Sequence, residues 1–255
     1  MILGILQART SSSRLPGKVL LPLLGEPMLA RQVERLRRCQ RIDQLILATS
    51  DDASDDALAE LAGHLELPCY RGSLNDVLDR FYQAAVPWQP THVVRLTGDC
   101  PLADPAVIDA CIDLHLQGGY DYTSNCLPPT FPDGLDVEVV RFPVLETAWR
   151  EAARAVEREH VTYFIHQQPS RFKLGNLAQD TDQSALRWTV DEPEDFMLVS
   201  QIYQALYPTQ PAFDRHAVLG YLSHASNLQE INSGHARNAG LQKSLAAESA
   251  ADPDH

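Results

Sequence analysis

The apolar positions follow two different periods. Ile2–Gln7 and residues 44–50 (QLILATS) are short, nearly unbroken apolar runs of the length expected for strands buried on both faces. Between them, GEPMLARQVERLRRCQ (25–40) places Met28, Leu29, Val33 and Leu36 at helical spacing, with Pro27 at the helix start. DDASDDALAELAGHL (51–65) predicts a helix with acids in its first turn, where the helix dipole favours them. PCYRG (68–72) predicts a short third strand and LNDVLDRFYQAAV (74–86) a helix. THVVRLTGD (91–99) is a fourth strand, and DPAVIDACIDLHLQ (104–117) a helix with Asp104 as N-cap and Pro105 at N1.

Four strand–helix alternations in succession predict an α/β, Rossmann-like fold: a mostly parallel central sheet with helices on both faces. The regularity then breaks. DYTSNCLPPTFPDGLDVEVVRF (121–142) is rich in turn residues and ends in the alternating LDVEVV, which predicts a loop excursion and a strand of different orientation. Residues 146–168 read as helix in two segments, ALRWTVD (185–191) as a further strand, and EPEDFMLVSQIYQAL (192–206) as the helix after it. Beyond Ser226 the apolar period fades, and AAESAADPDH (246–255) reads as frayed. With no low-complexity linker and no internal repeat, residues 1–225 are expected to form a single domain with an irregular insertion around 121–140. Residues 226–255 are expected to be a partly flexible extension.

The chain of 255 residues can bury a full core, and 44% apolar with 22% charged residues is ordinary for a globular protein. A formal net charge of −13 argues against broad attraction to nucleic acid or to an anionic membrane. The five cysteines, Cys39, Cys69, Cys100, Cys111 and Cys126, are widely spaced and form no C-x-x-C pair, which reads as free thiols in a reducing compartment. No apolar run reaches the roughly 18 residues of a membrane helix, and no basic segment precedes Ile2. A cytoplasmic protein of bacterial type, with no membrane insertion, is expected.

Charge changes the picture in one place. The first 25 residues carry Arg9, Arg14 and Lys18 and no carboxylate, Glu26 being the first. ARTSSSRLPGK (8–18) therefore forms a positive loop after the first strand, where open α/β sheets often bind phosphate. It is not a Walker A loop, because position 12 is serine and Val19 follows Lys18. The serines offer hydroxyls and N–H groups to phosphate, the arginines bind oxygens bidentately, and Lys18 adds a point charge. A solvated basic loop would have the same composition. Asp99 in TGDCP ends the fourth strand facing the same cleft; it is spare as a helix cap, since Asp104 fills that role. Asp191 precedes a helix start with Pro193, so capping is a competing role for it. In FPDGLDVEV, Asp136 and Glu138 share a face of a strand. With Asp133 and the preceding Asn125 they fit a sugar-hydroxyl site, while a second metal site or the polar face of an edge strand are the alternatives. Arg158, Glu159 and His160 gather at a helix boundary, as surface turn or substrate contact. His92 and His166 read as structural.

QARTSSSRLPGKVLLPLLGEPML (7–29) strongly resembles the Q-A-R-M-G-S-T-R-L-P-G-K signature of the spore-coat-polysaccharide type cytidylyltransferases, relatives of the CMP-Kdo and CMP-sialic acid synthetases. RLTGDCPLADP, PPTFPDGLDVEV, EREHVT, RWTVDEPEDF and EINSGHARNAGLQKSL follow in that family's order, so the resemblance covers almost the whole chain. It implies the nucleotide-diphospho-sugar transferase type of fold. It also implies Mg2+-dependent transfer of CMP from CTP to a sugar, an acidic keto-sugar, with release of pyrophosphate, for surface polysaccharide synthesis. By resemblance, Asp99 and Asp191 are the metal ligands. Together with Arg14 and Lys18, which stabilise the leaving pyrophosphate, they form the catalytic set. Ala8, Arg9, Ser12, Ser13, Arg14 and Lys18 bind the nucleotide, and Arg71 and Ser73 approach its base. Asn125, Asp133, Asp136, Glu138 and His160 form the expected sugar site. Ser11 and Ser13 stand where the family pattern has glycine and threonine; Ser11 lacks glycine's freedom at positive φ, which predicts a differently shaped loop.

The resemblance further implies a homodimer, with residues 121–136 or the C-terminal NSGHARNAGLQKSL reaching into the neighbour's site. Two rivals remain at this level. One is a nucleotide-sugar-dependent glycosyltransferase, against which the absence of a D-x-D motif in TGDCP counts. The other is a catalytically lapsed nucleotide-binding protein, against which the joint presence of Arg14, Lys18, Asp99 and Asp191 counts.

Overall fold

A computed structural model describes residues 1–251. The chain begins with strand β1 (Ile2–Gln7), a two-residue hairpin β2 (Pro22–Leu23) and β3 (Glu26–Pro27), and helix α1 (Met28–Leu36). Then come β4 (Gln44–Ser50), α2 (Asp56–His64), β5 (Cys69–Gly72), α3 (Val77–Ala85), β6 (His92–Thr97) and α4 (Pro105–Gly118). The middle region holds β7 (Tyr122–Ser124), β8 (Glu138–Arg141), α5 (Phe142–Glu151), α6 (Ala155–Glu159), α7 (Tyr163–His166) and β9 (Leu174–Asn176). The last described elements are α8 (Pro193–Leu206), α9 (Arg215–His224), α10 (Ser226–Gln229) and α11 (Ala239–Ala251).

One seven-stranded sheet has the order β5-β4-β1-β6-β8-β7-β9. Strands β5, β4, β1 and β6 are mutually parallel, and β8 runs antiparallel to both β6 and β7. The change of orientation expected for LDVEVV is β8. The predicted helices on both faces follow from strand parity. Leu3 and Ile5 of β1, with Ile46 and Val93, pack against Phe81 of α3, Leu145 of α5 and Ile165 of α7. Leu6, Leu47, Val94 and Leu96 face the other way, toward Val33 of α1, Ile112 of α4 and Ile202 of α8. Helix α4 starts as read: Asp104 accepts from the amides of Ala106 and Val107, with Pro105 at N1.

Three expectations change. ALRWTVD is not a strand of the sheet. Leu186, Trp188 and Val190 alternate as strand residues do, but the segment is an extended connector whose backbone bonds go to two loops. The Trp188 amide donates to Asp133 O at 2.6 Å and the Val190 amide to Asp99 O at 2.8 Å. The helical region 146–168 begins earlier, at Phe142, and divides into α5, α6 and α7. Residues 246–251, expected to fray, complete helix α11; residues 252–255 lie outside the described residues.

Where the connector crosses the 131–136 loop, the backbones touch. Gly134 has φ +104°, and a Cβ there would fall 2.4 Å from the Thr189 amide nitrogen. Both the left-handed backbone and the contact require glycine. Gly134→Ala is therefore expected to cost about 2 kcal/mol or more of stability, read as a lower urea midpoint.

Candidate active site

The loop after β1 is fixed from beneath by Asp55, which is fully buried. Its Oδ1 accepts from the Thr10 amide and the Thr10 hydroxyl, both at 2.7 Å, and Oδ2 from the Ser50 amide at 3.2 Å and the Ser50 hydroxyl. Within the loop the Gly17 amide returns to Thr10 O at 2.9 Å, and the Leu15 amide donates to Ser12 Oγ at 3.3 Å. Gly17 takes φ +69°, the turn that sends Lys18 inward. Ser11 is not among the residues with positive φ, so serine at that position carries no left-handed strain.

Lys18 is 8% exposed. Its Nζ donates to Val190 O at 2.7 Å, Asp191 Oδ1 at 2.8 Å and Asp99 Oδ2 at 3.3 Å. Arg14 joins the same cluster, with Nη2 2.8 Å from Asp191 Oδ1 and Nη1 3.2 Å from Glu192 Oε1. Burial alone would raise the Asp99 carboxyl, but the Lys18 ammonium holds it below the usual carboxylate range. Burial likewise opposes the Lys18 charge, and Asp99 and Asp191 more than restore it. Helix α8 is capped by Glu192 and not by Asp191, which leaves the Asp191 carboxylate to the cluster. Asp191 is braced from behind: Arg187 Nη2 reaches its Oδ2 at 3.2 Å, and Asp195 Oδ2 accepts the Asp191 amide at 2.9 Å. Arg187 is itself held by Asp195 and Asp133, and Asn232 Nδ2 donates to Asp195 Oδ1 at 2.8 Å.

This cluster forms one end of a cavity of about 830 Å³. Ala8, Arg9, Ser12, Ser13, Arg14, Lys18, Asp99, Asp191 and His160 all line it, as the sequence reading grouped them. The other expected site residues lie outside its walls. Arg71 turns away to Ser50 O at 3.0 Å, Asp52 O at 2.9 Å and Asp56 at 2.7 Å. Ser73 accepts the Asp76 amide at 3.0 Å; Asp76 caps α3 and holds Arg158. Asn125 pins its own loop, donating to Leu135 O at 2.7 Å and accepting from the Val137 amide at 2.9 Å. Asp133 is taken up by Arg187, and Asp136 by Arg237. Glu138 sits behind the wall, bound by Arg95, by the Tyr122 hydroxyl at 2.6 Å and by the Thr162 hydroxyl.

Sequence reading passed over several wall residues. Arg95 lines the cavity from inside strand β6, where a cation interrupting an apolar strand was the available signal. Arg80 lines it from α3, in the apolar stripe of that helix. Helix α11 contributes Gly240, Lys243, Ser244, Ala247 and Glu248, one face at i, i+3, i+4, i+7 and i+8. That face has almost no large apolar residue, which hides it from hydropathy. It packs on α6 of the same chain: Ser244 donates to Glu159 at 2.8 Å and lies 3.1 Å from His160 Nε2, and Arg154 pairs with Glu248. Burial lowers the His160 pKa, which favours the neutral ring.

No group of three or more His, Cys, Asp or Glu arranged to hold a metal occurs among the described residues. Asp99 and Asp191 nonetheless converge on one point, occupied by the Lys18 ammonium. Two carboxylates beside a phosphate loop are the donor set a hard divalent cation takes when phosphate and water complete its shell.

The positive first loop, Asp99 after β6 and Asp191 from the connector meet in a cavity at the carboxyl ends of the parallel strands, where open α/β sheets bind their ligands. The enzyme class is a nucleotidyltransferase, as the family match shows. The chain belongs to the cytidylyltransferase family, whose model matches residues 3–238. It is 36% identical to the spore coat polysaccharide biosynthesis protein SpsF of Bacillus subtilis, over 80% of this chain and 86% of that protein. A cytidylyltransferase from Leptospira borgpetersenii superposes with a TM-score of 0.85 at 29% identity, covering 90% of this chain and 96% of that one. The fold is also that of CMP:2-keto-3-deoxy-manno-octonic acid synthetase complexed with CTP, with a TM-score of 0.62 at 16% identity over 80% of this chain and 99% of that one.

Glu138 yields a pH prediction. Burial would raise its carboxyl, but Arg95, Thr162 and Tyr122 hold it down to about 2, against an ordinary 4.5. A folded value below the unfolded one stabilises above pH 4.5, and that contribution is lost as the pH falls through about 2. Glu138→Gln is expected to lose on the order of 3 kcal/mol at pH 7, a deficit that shrinks toward pH 2 in urea titrations.

Proposed function

We propose that this cytidylyltransferase moves CMP from CTP to an acidic keto-sugar, releasing pyrophosphate, with Mg2+ held by Asp99 and Asp191. The observation that carries the proposal is the meeting of Lys18, Arg14, Asp99 and Asp191 at one end of the cavity. Arg9, with no hydrogen bond or ion pair among the described residues, and Ser12 and Ser13 bind the triphosphate. The acceptor lies between Arg95, His160 and helix α11, where its hydroxyl attacks the α-phosphorus in line with the departing pyrophosphate. Lys243, also unpaired among the described residues, faces this end and suits the acceptor's carboxylate. Arg14 and Lys18 sit where charge grows on the leaving group, so their contribution rises in the transition state. When bound, Mg2+ would withdraw charge from the phosphate oxygens. The carboxylates of Asp99 and Asp191, which already share the Lys18 ammonium, are placed to receive it.

Residues 1–225 act as one catalytic domain in this reading, and the extension beyond them closes the cavity through α11. No described helix is long and apolar enough to cross a membrane, and five free thiols and a need for CTP fit the cytoplasm. We assign the homodimer to the 121–136 region, since α11 covers the cavity of its own chain. A monomer by light scattering at micromolar protein would refute the dimer.

The test of function is pyrophosphate release from CTP and Mg2+ with a panel of 3-deoxy-keto-sugar acids. Sugar-dependent release, reduced at least about 10³-fold by Asp99→Asn in a folded protein, is expected. Failure of the wild-type protein to bind CTP by calorimetry would overturn the proposal.

A further inference from the structure

His160 caps the end of α6, and its ring is held on one side. Nε2 lies 3.1 Å from Ser244 Oγ of α11 and 3.8 Å from Glu159 Oε2. The Ser244 hydroxyl has a single proton, for which the acceptors are Glu159 Oε2 at 2.8 Å and Gly240 O at 3.1 Å. The serine oxygen therefore accepts from the ring, and Nε2 carries the hydrogen of the neutral imidazole. Nδ1 is left with its lone pair. It makes no hydrogen bond among the described residues and is not one of the enclosed polar atoms lacking a partner, so it keeps accessible surface. The ring lines the cavity, with 25% of the side chain exposed. The grouping is not a hydrolase triad. There the carboxylate holds the far ring nitrogen, whereas Glu159 takes the serine proton.

Attack by a sugar hydroxyl needs a group to take its proton, and a base serves best with a pKa near the working pH. The carboxylates of the cavity wall are already engaged. Asp99 and Asp191 share the Lys18 ammonium, Glu248 pairs with Arg154, and Glu159 takes up Ser244. His160 instead presents a free lone pair on a ring kept neutral. Burial lowers its pKa below the ordinary 6.5; Glu159 and Glu138 favour the imidazolium, and Arg95 and Arg9 oppose it. Lys243 and Glu248 of α11 line the same cavity. The ring thus feels both Arg9, of the phosphate loop, and Arg95, of the acceptor wall. Glu159 lies beside Nε2, where it stabilises the positive charge that a gained proton creates.

We infer that His160 is the catalytic base of the transfer, taking the proton of the acceptor hydroxyl at Nδ1, with Ser244 of α11 as the positioning residue that fixes its tautomer. The inference rests on the cytidylyl reading above and adds the group that moves the proton. The hydroxyl oxygen bonds the α-phosphorus with its electron pair as its proton passes to Nδ1. The bond from the α-phosphorus to the bridging oxygen breaks, and that pair leaves with pyrophosphate. The imidazolium then returns the proton to water.

Long-range proton–nitrogen NMR spectra of protein labelled in histidine test the ring itself and need no acceptor; His160→Gln assigns the signal, and thermal melts check folding. The wild-type ring is expected to be neutral at pH 7 with its hydrogen on Nε2, and Ser244→Ala to lose that single tautomer. A wild-type ring with its hydrogen on Nδ1, or an imidazolium at pH 7, overturns the inference. Pyrophosphate release from CTP, Mg2+ and the keto-sugar acid that the wild type turns over tests the step. His160→Gln keeps an N–H for Ser244 but lacks Nδ1. It is expected to lose at least about 10²-fold in kcat with both KM values within about twofold, and the deficit is expected to shrink as the pH falls below the ring's pKa. An unchanged kcat, or a loss confined to the acceptor KM, overturns the inference alone. Wild-type protein that binds no CTP by calorimetry overturns the cytidylyl reading, and this inference with it.

Discussion

A buried ammonium between two carboxylates holds the active end of this molecule together. Lys18 belongs to the first loop, Asp99 to the end of β6, and Asp191 to a connector nearly two hundred residues into the chain. A charge so little exposed is tolerable only because both acids and the Val190 carbonyl satisfy it. Each partner has in turn been placed by something else. Asp55 fixes the loop that carries Lys18, and Arg187, Asp195 and Asn232 fix Asp191. Removing Asp99 or Asp191 would leave the buried Lys18 ammonium short of a partner.

The same cluster divides the cavity electrostatically. Lys18 and Arg14 are paired with Asp99, Asp191 and Glu192, two cations against three carboxylates, so their own charge is already taken up within the cluster. Cations with no ion-pair partner among the described residues, Arg9, Arg80 and Lys243, lie elsewhere along the cavity wall. In a chain with a net charge of −13, these few cations draw anions to one place without making the whole surface basic.

Much of this was legible in the sequence. Four strand–helix alternations follow from two hydrophobic periods, and the helix spacing of Met28, Leu29, Val33 and Leu36 matches their burial in α1. The positive first loop was legible because its charge stood out against an acidic chain, Asp99 because it ended a strand beside that loop, and Asp191 through the family resemblance. What was missed depends on long-range pairing. Strands β7 and β9 are three residues each and exist because β8 and the 121–126 backbone supply partners. ALRWTVD has a strand's alternation but bonds to loops. Glu138 begins β8 and Asp136 lies before it, outside the strand; Arg95 and Arg237 claim them, and those arginines could not be assigned to them from spacing alone. Arg80 carried a signal, a cation in an apolar helix stripe, that only a cavity made meaningful.

The brace behind Asp191 also orders events in time. The loop carrying Arg14 and Lys18 is made well before Arg187, Asp195, Asn232 and α11, which follow it by about 170 residues or more. During synthesis the sheet core of β1, β4, β5 and β6 can form from neighbouring segments, but Lys18 must wait with Asp99 alone. Closing such distant contacts is slow because the intervening chain must first be ordered. A nascent chain can therefore pair these four strands before Asp191 and its brace reach Lys18, and the cluster is complete only once residues 187–232 have docked.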